Sequence, residues 1–119
     1  MMSSGRIDKG DVVMVDVPYL DATQAVRRPA LVVSDTSQML DVIIAGITSR
    51  IRSPLPPTHY VLDRNHPDWS ASGLRLDSAI RCDRLFTVAH ANIQRKVGRL
   101  SAATMQQIDD CLKVAFAIS

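Results

Sequence analysis

The chain has 119 residues, and not one is glutamate. All twelve acidic residues are aspartates, so glutamate is excluded as a general acid or base anywhere in it. Cysteine is nearly absent. Cys82 and Cys111 are too few for a disulfide framework or a cysteine zinc site. Both read as small core residues in a reducing compartment. The aromatics are few: Trp69, Tyr19, Tyr60, Phe86 and Phe116. No apolar run approaches the ~18–20 residues that span a bilayer. Residues 1–9 are polar, without a signal-peptide apolar core. They read as a frayed end to one compact domain, 1–119. These absences point to a cytoplasmic protein with no membrane partner.

What is plentiful is arginine. The net charge is only +2, yet eleven of the fourteen cations are arginine, most of them between Arg27 and Arg99. A planar guanidinium suits phosphate and stacks on bases. A positive face is therefore expected despite the small total, although GC-rich codon usage would also turn lysine into arginine.

The segment Arg27-Arg28-Pro29-Ala30-Leu31-Val32-Val33-Ser34 organises the rest. Its short β-branched run predicts a strand buried on both faces, over 28–35. Pro29 suits the first residue of a strand and pushes Arg28 into an extended conformation. Before it, residues 11–17 alternate as a strand that Pro18 ends, and the two are expected to pair antiparallel. Asp41–Ile51 predicts a central strand interrupted by Gly46, as at a bulge or a close backbone approach. A proline-stiffened loop, 52–58, leads to a short strand, 59–62. After the loop 63–73, residues 74–83 alternate: Leu74, Leu76, Ser78, Ile80 and Cys82 on one face, Arg75, Asp77, Ala79, Arg81 and Asp83 on the other. A short strand, 85–89, and a helical turn with another strand within 90–98 follow. Ser101 is a good N-cap. Met105, Ile108, Leu112, Ala115 and Phe116 then recur at helical spacing. The expected fold class is mainly β (α+β): a small, curled antiparallel sheet or barrel with a C-terminal helix across it.

Gly-rich phosphate loops, metal-spaced His or Cys pairs and nucleophile elbows are all missing, so neither cofactor nor metal is expected. His59, His66 and His90 lie far apart and read as surface or capping residues. What remains is a set of polar residues at strand ends: Arg28, Thr48-Ser49-Arg50, and the pair Arg81 and Asp83. Converging on one sheet edge, they would suit a phosphodiester. Arginines would stabilise charge developing on phosphorus, the hydroxyl would add a hydrogen bond, and the carboxylate would take a proton or orient an arginine. On RNA, the 2′-OH could itself attack, with no metal. The plain alternative is that Arg81 and Asp83 form a surface ion pair, worth at most ~1 kcal/mol.

Over about Lys9 to Ala117 the chain resembles the PemK/MazF family of toxins from type II toxin–antitoxin systems. The resemblance rests on Lys9-Gly10-Asp11-Val12-Val13, Arg28-Pro29-Ala30-Leu31-Val32-Val33-Ser34, Ile47-Thr48-Ser49, Ser72-Gly73-Leu74, Asp77-Ser78, Arg81-Cys82-Asp83 and Val97-Gly98-Arg99-Leu100-Ser101, in that order. It implies an SH3-like barrel with a C-terminal helix, forming a homodimer. It implies metal-independent, sequence-specific cleavage of single-stranded RNA, chiefly mRNA, leaving a cyclic phosphate and a 5′-hydroxyl, and inhibition by an acidic segment of a cognate antitoxin. By the same resemblance Arg28, Thr48, Arg81 and Asp83 are catalytic. Gln24, Arg27, Ser49, Arg50 and Trp69 would contact RNA, Trp69 by stacking. Two family features are replaced: the loop glutamate of MazF-like members is Thr23 here, and the loop histidine of PemK-like members is Ala22. Asp83 and Asp21 are the carboxylates left as proton acceptor. A CcdB-like gyrase inhibitor that cleaves nothing, or a degenerate module that only binds an antitoxin, is the alternative.

Overall fold

The structure is a computed structural model that describes residues 6–17, 26–38 and 40–119. Strands β1 (Asp11–Val17), β2 (Val26–Val32) and β3 (Asp41–Thr48) are followed by β4 (His59–Leu62), a one-turn helix α1 (Trp69–Ser72), β5 (Ser78–Ala89), β6 (Ile93–Arg99) and the helix α2 (Ala102–Phe116). Among the described residues the strands form one six-stranded sheet in the order β4-β5-β3-β2-β1-β6, with neighbouring strands antiparallel. The fold is mainly β with a C-terminal helix. The sheet curls but does not close, leaving β4 and β6 as its edges.

The apolar run in β2 explains why both faces are covered. Ala30, Leu31 and Val32 are all fully buried. Leu31 joins Val12, Ala45, Ile47, Ile80 and Cys82 under Met105 and Ile108 of α2. Ala30 and Val32 join Val13, Val15, Val42, Ile44 and Val88 on the opposite face. Neighbouring side chains on a strand point to opposite faces, so a continuous apolar run serves two cores at once. β2 starts earlier than expected, and Pro29 lies within it rather than at its head. The ladder to β3 begins only at Ala30, just past the residue that has no N–H to give. Burial also pushes the Cys82 thiol up to about 12, as suits a core residue.

The alternating stretch 74–83 does not behave as one strand. Residues 74–77 lie outside any strand, with a bend at Arg75 and Leu76, and Leu76 is 59% exposed. The Ser78 hydroxyl donates to Leu76 O and the Arg64 N–H donates to Asp77, side-chain bonds that compete with a ladder. Ala79, on the supposed polar face, is fully buried because β5 is flanked there by β3 and β4. From Ser78 a single strand runs through to Ala89, replacing the two short ones expected. Its ladder with β3 breaks at Gly46: Ala45 pairs with Leu85, but Gly46 pairs with Arg81. Cys82, Asp83 and Arg84 are thus extra residues on β5, a bulge that re-aims side chains.

Two glycines set how the end of α1 meets β6. A Cβ at Gly98 would collide with Ser72 O and Ala71 O, and one at Gly73 with Val97 O. Gly73 also has φ 73°, the left-handed conformation glycine adopts freely. Ser101 caps α2 as expected, its hydroxyl accepting from Thr104 N at 3.2 Å, while Asp68 accepts from Ser101 N and Oγ at 2.8 Å each. At the N-terminal end the frayed reading fails from Ile7 onward: Ile7 is buried, and Lys9 Nζ lies 3.0 Å from Asp109.

Candidate active site

β3 supplies the axis of a cleft of about 860 Å³. Ile44, Gly46 and Thr48 line the cleft from β3, Ala45 packs under α2, and Ile47 touches both the cleft and the helix-side core. On β2, Ala30 pairs with Gly46, and the same antiparallel register carried two residues further puts Arg28 opposite Thr48. On β5, Gly46 pairs with Arg81 and Thr48 with Ala79, so Arg81 and Thr48 are diagonal neighbours within reach of a long side chain. Three adjacent strands therefore aim Arg28, Thr48 and Arg81 at one volume. Ser49, Arg50 and Arg52 continue the wall beyond β3, and Arg84 and Phe86 of β5 complete it. Five arginines line the cleft, and no acidic residue does among the described residues.

Asp83 stands behind this wall. Arg81 Nε donates to Asp83 Oδ1 at 3.1 Å and its terminal nitrogen to Oδ2 at 3.0 Å, a planar fork that fixes the guanidinium. Those bonds hold the Asp83 carboxyl below the usual carboxylate range, against the opposing effect of desolvation. Asp83 in turn raises the already high pKa of Arg81. Such a carboxylate is a weak base and such a guanidinium a weak acid. Their geometry orients charge instead of moving protons. The Thr48 hydroxyl oxygen accepts from Arg50 N at 3.1 Å, which uses a lone pair and leaves the O–H proton as a donor.

Residues 8–116 match the family described as PemK-like, MazF-like toxin of type II toxin-antitoxin system. The chain belongs to this family. It is 27% identical over 116 residues to Endoribonuclease EndoA of Bacillus subtilis, covering 94% of this chain and 96% of the relative. An endoribonuclease in complex with its cognate antitoxin, from a mycobacterial species, superposes with a TM-score of 0.74 at 21% identity, covering 96% of this chain and 98% of the other. The Mycobacterium tuberculosis toxin MazF-mt6 superposes with a TM-score of 0.71 at 20% identity, over 92% and 98%. At these identities the superpositions speak for the fold.

The toxin's cleft gathers Arg28, Thr48, Ser49, Arg50 and Arg81, with Asp83 supporting the last. Two other candidates stand elsewhere. Arg27 points away, its Nε 3.3 Å from Asp16 on β1. Alternation along β2 forces this: if Arg28 faces the cleft, Arg27 cannot. Trp69 packs against the helix-side core and does not line the cleft. Gln24, Asp21, Ala22 and Thr23 lie outside the described residues. Four lining residues were not read from the sequence: His59, Arg52, Arg84 and Phe86. Phe86 is the aromatic at the cleft, paired with Ile44 across β3. The proline-rich segment 52–58 carried the signal for Arg52, since such a loop holds its flanks in place. Arg84 needed the bulge, and His59 the pairing of β4 with β5.

Proposed function

We propose that the toxin is a metal-independent endoribonuclease acting on single-stranded RNA, chiefly mRNA, in the cytoplasm. The 2′-OH attacks the adjacent phosphorus, a P–O2′ bond forms, the P–O5′ bond breaks and the departing O5′ takes a proton from water. The products are a 2′,3′-cyclic phosphate and a 5′-hydroxyl. Arg28 and Arg81 stabilise the charge growing on the non-bridging oxygens, and Thr48 donates a further hydrogen bond to them. Asp83 acts by orienting Arg81. A weakened base in that position leaves Asp21, of the two carboxylates named from the sequence, as proton acceptor. Ser49, Arg50 and Arg52 would carry neighbouring phosphates, and Phe86 would stack a base. The toxin acts as a homodimer, and a cognate antitoxin with an acidic segment neutralises the cleft.

The observation that carries this reading is the meeting of Arg28, Thr48 and Arg81 from three strands in one arginine-lined cleft. The test is digestion of single-stranded RNA in EDTA, with products resolved by their termini. Wild type should yield cyclic phosphate ends. Arg28→Ala should lower cleavage by about 10²–10³-fold while the melting curve stays in place. Cleavage that survives Arg28→Ala, or gyrase inhibition without any RNA cleavage, overturns the proposal.

A further inference from the structure

His59 opens β4 directly across from Arg81 of β5. Its side chain is 1% exposed, and its Nε2 lies 3.3 Å from Asp83 Oδ1. Its Nδ1 is buried with no hydrogen-bond partner among the described residues. These facts choose the tautomer. A proton on Nδ1 would bury a donor without an acceptor and turn the Nε2 lone pair toward a carboxylate, unfavourable on both counts. A proton on Nε2 faces the carboxylate and leaves at Nδ1 only an acceptor. The one lone pair open to a proton, at Nδ1, is then buried from solvent, so His59 is badly placed to take a proton from a substrate.

It is well placed to hold Asp83. That aspartate sits in the three-residue excess of β5, where no ladder to β3 fixes it. Cys82 N donates to Thr58 O at 2.9 Å, tying the bulge to the residue just before His59. Asp83 Oδ1 is thus gripped from two sides, by Arg81 Nε and by His59 Nε2.

We propose that His59 is a positioning residue for RNA cleavage: it fixes Asp83, and Asp83 keeps the Arg81 guanidinium aimed into the cleft. The proposal rests on the endoribonuclease reading given above. His59→Gln keeps an N–H donor near the position of Nε2, whereas His59→Leu removes it. His59→Asn, whose amide stops short of Asp83, is the second removal variant where Leu disturbs folding.

The test is single-turnover RNA cleavage with melting curves recorded for each variant. His59→Leu should lower the cleavage rate about tenfold to a hundredfold, with substrate affinity little changed. His59→Gln should recover most of that loss. In an Asp83→Ala background His59→Leu should cost less than about twofold more, because the contact it serves is already gone. Unchanged cleavage by His59→Leu, no rescue by Gln, or full additivity with Asp83→Ala overturns the proposal. If wild type cuts no RNA, the endoribonuclease reading fails, and the contact is still read by carbon NMR titration. The Asp83 carboxyl should titrate at higher pH in His59→Leu than in wild type, and identical titrations overturn the role of His59.

Discussion

Salt is the most direct probe of the cleft. Five arginines line it, and Arg81 among them is paired with Asp83 through two bonds. About four phosphate contacts is the working figure for a strand lying along the cleft. On a single strand each phosphate contact contributes about −0.7 to the slope of log affinity against log salt, so the expected slope is about −3. Between about 50 and 200 mM salt the affinity should fall roughly fiftyfold. Fluorescence anisotropy with a labelled 2′-O-methyl oligonucleotide measures binding without cleavage, since the attacking hydroxyl is blocked. Arg52→Gln and Arg84→Gln should each make the slope shallower by about 0.7. Arg27→Gln should not, because Arg27 turns to Asp16 on the far side of β2. A wild-type slope weaker than about −1, or equal effects of Arg27→Gln and Arg84→Gln, would refute the cleft as the path of the RNA backbone.

Two further predictions concern stability. Gly98→Ala should cost about 2–3 kcal/mol or more in chemical denaturation, because its Cβ meets backbone oxygens of Ser72 and Ala71 that no rotamer change can move aside; a loss under about 0.5 kcal/mol would show that α1 and β6 separate easily. Acid unfolding should report Asp68 and Asp83. Asp83 is held low chiefly by the hydrogen bonds from Arg81; for Asp68, desolvation raises the pKa, but bonds from Thr104 and Ser101 outweigh it. A depressed folded pKa means the stabilisation is complete above the unfolded value, about pH 4, and is lost as pH falls through the folded one. Asp68→Asn and Asp83→Asn should each flatten the fall of melting temperature below about pH 4, and an unchanged slope would show that these contacts do not persist in solution.

The parts of the fold legible in the sequence were those set by near neighbours along the chain. The apolar run after Pro29, the short strand 59–62 and the Ser101 cap each declare themselves within a few residues, and each was found in place. Gly46 marked the break in the β3–β5 ladder, although the extra residues proved to be on β5. What failed was alternation read as exposure. Leu76 and Ala79 exchanged roles because side-chain bonds at a bend released one, and two flanking strands covered the other. Trp69 stands away from the cleft for a related reason: a bulky apolar ring at the start of α1 finds the helix-side core before it finds water. His59 was passed over because its partner, Asp83, is 24 residues away and reaches it only through the β4–β5 register.

A net charge of +2 hides the cleft because compensation is carried out elsewhere. Asp8 pairs with Arg6, Asp109 with Lys9, Asp16 with Arg27 and Asp77 with Arg64. The fully buried Asp11 takes both Lys96 and Arg99. None of these eleven residues lines the cleft. Aspartates thus pair with six cations outside the cleft, while five arginines line the cleft and no acidic residue does among the described residues. Like charges so concentrated repel one another, at a cost to stability that the two apolar cores offset. A polyanion relieves that repulsion on binding. Under the proposed function, the same imbalance would suit an acidic antitoxin segment, and RNA and antitoxin would then compete for the cleft.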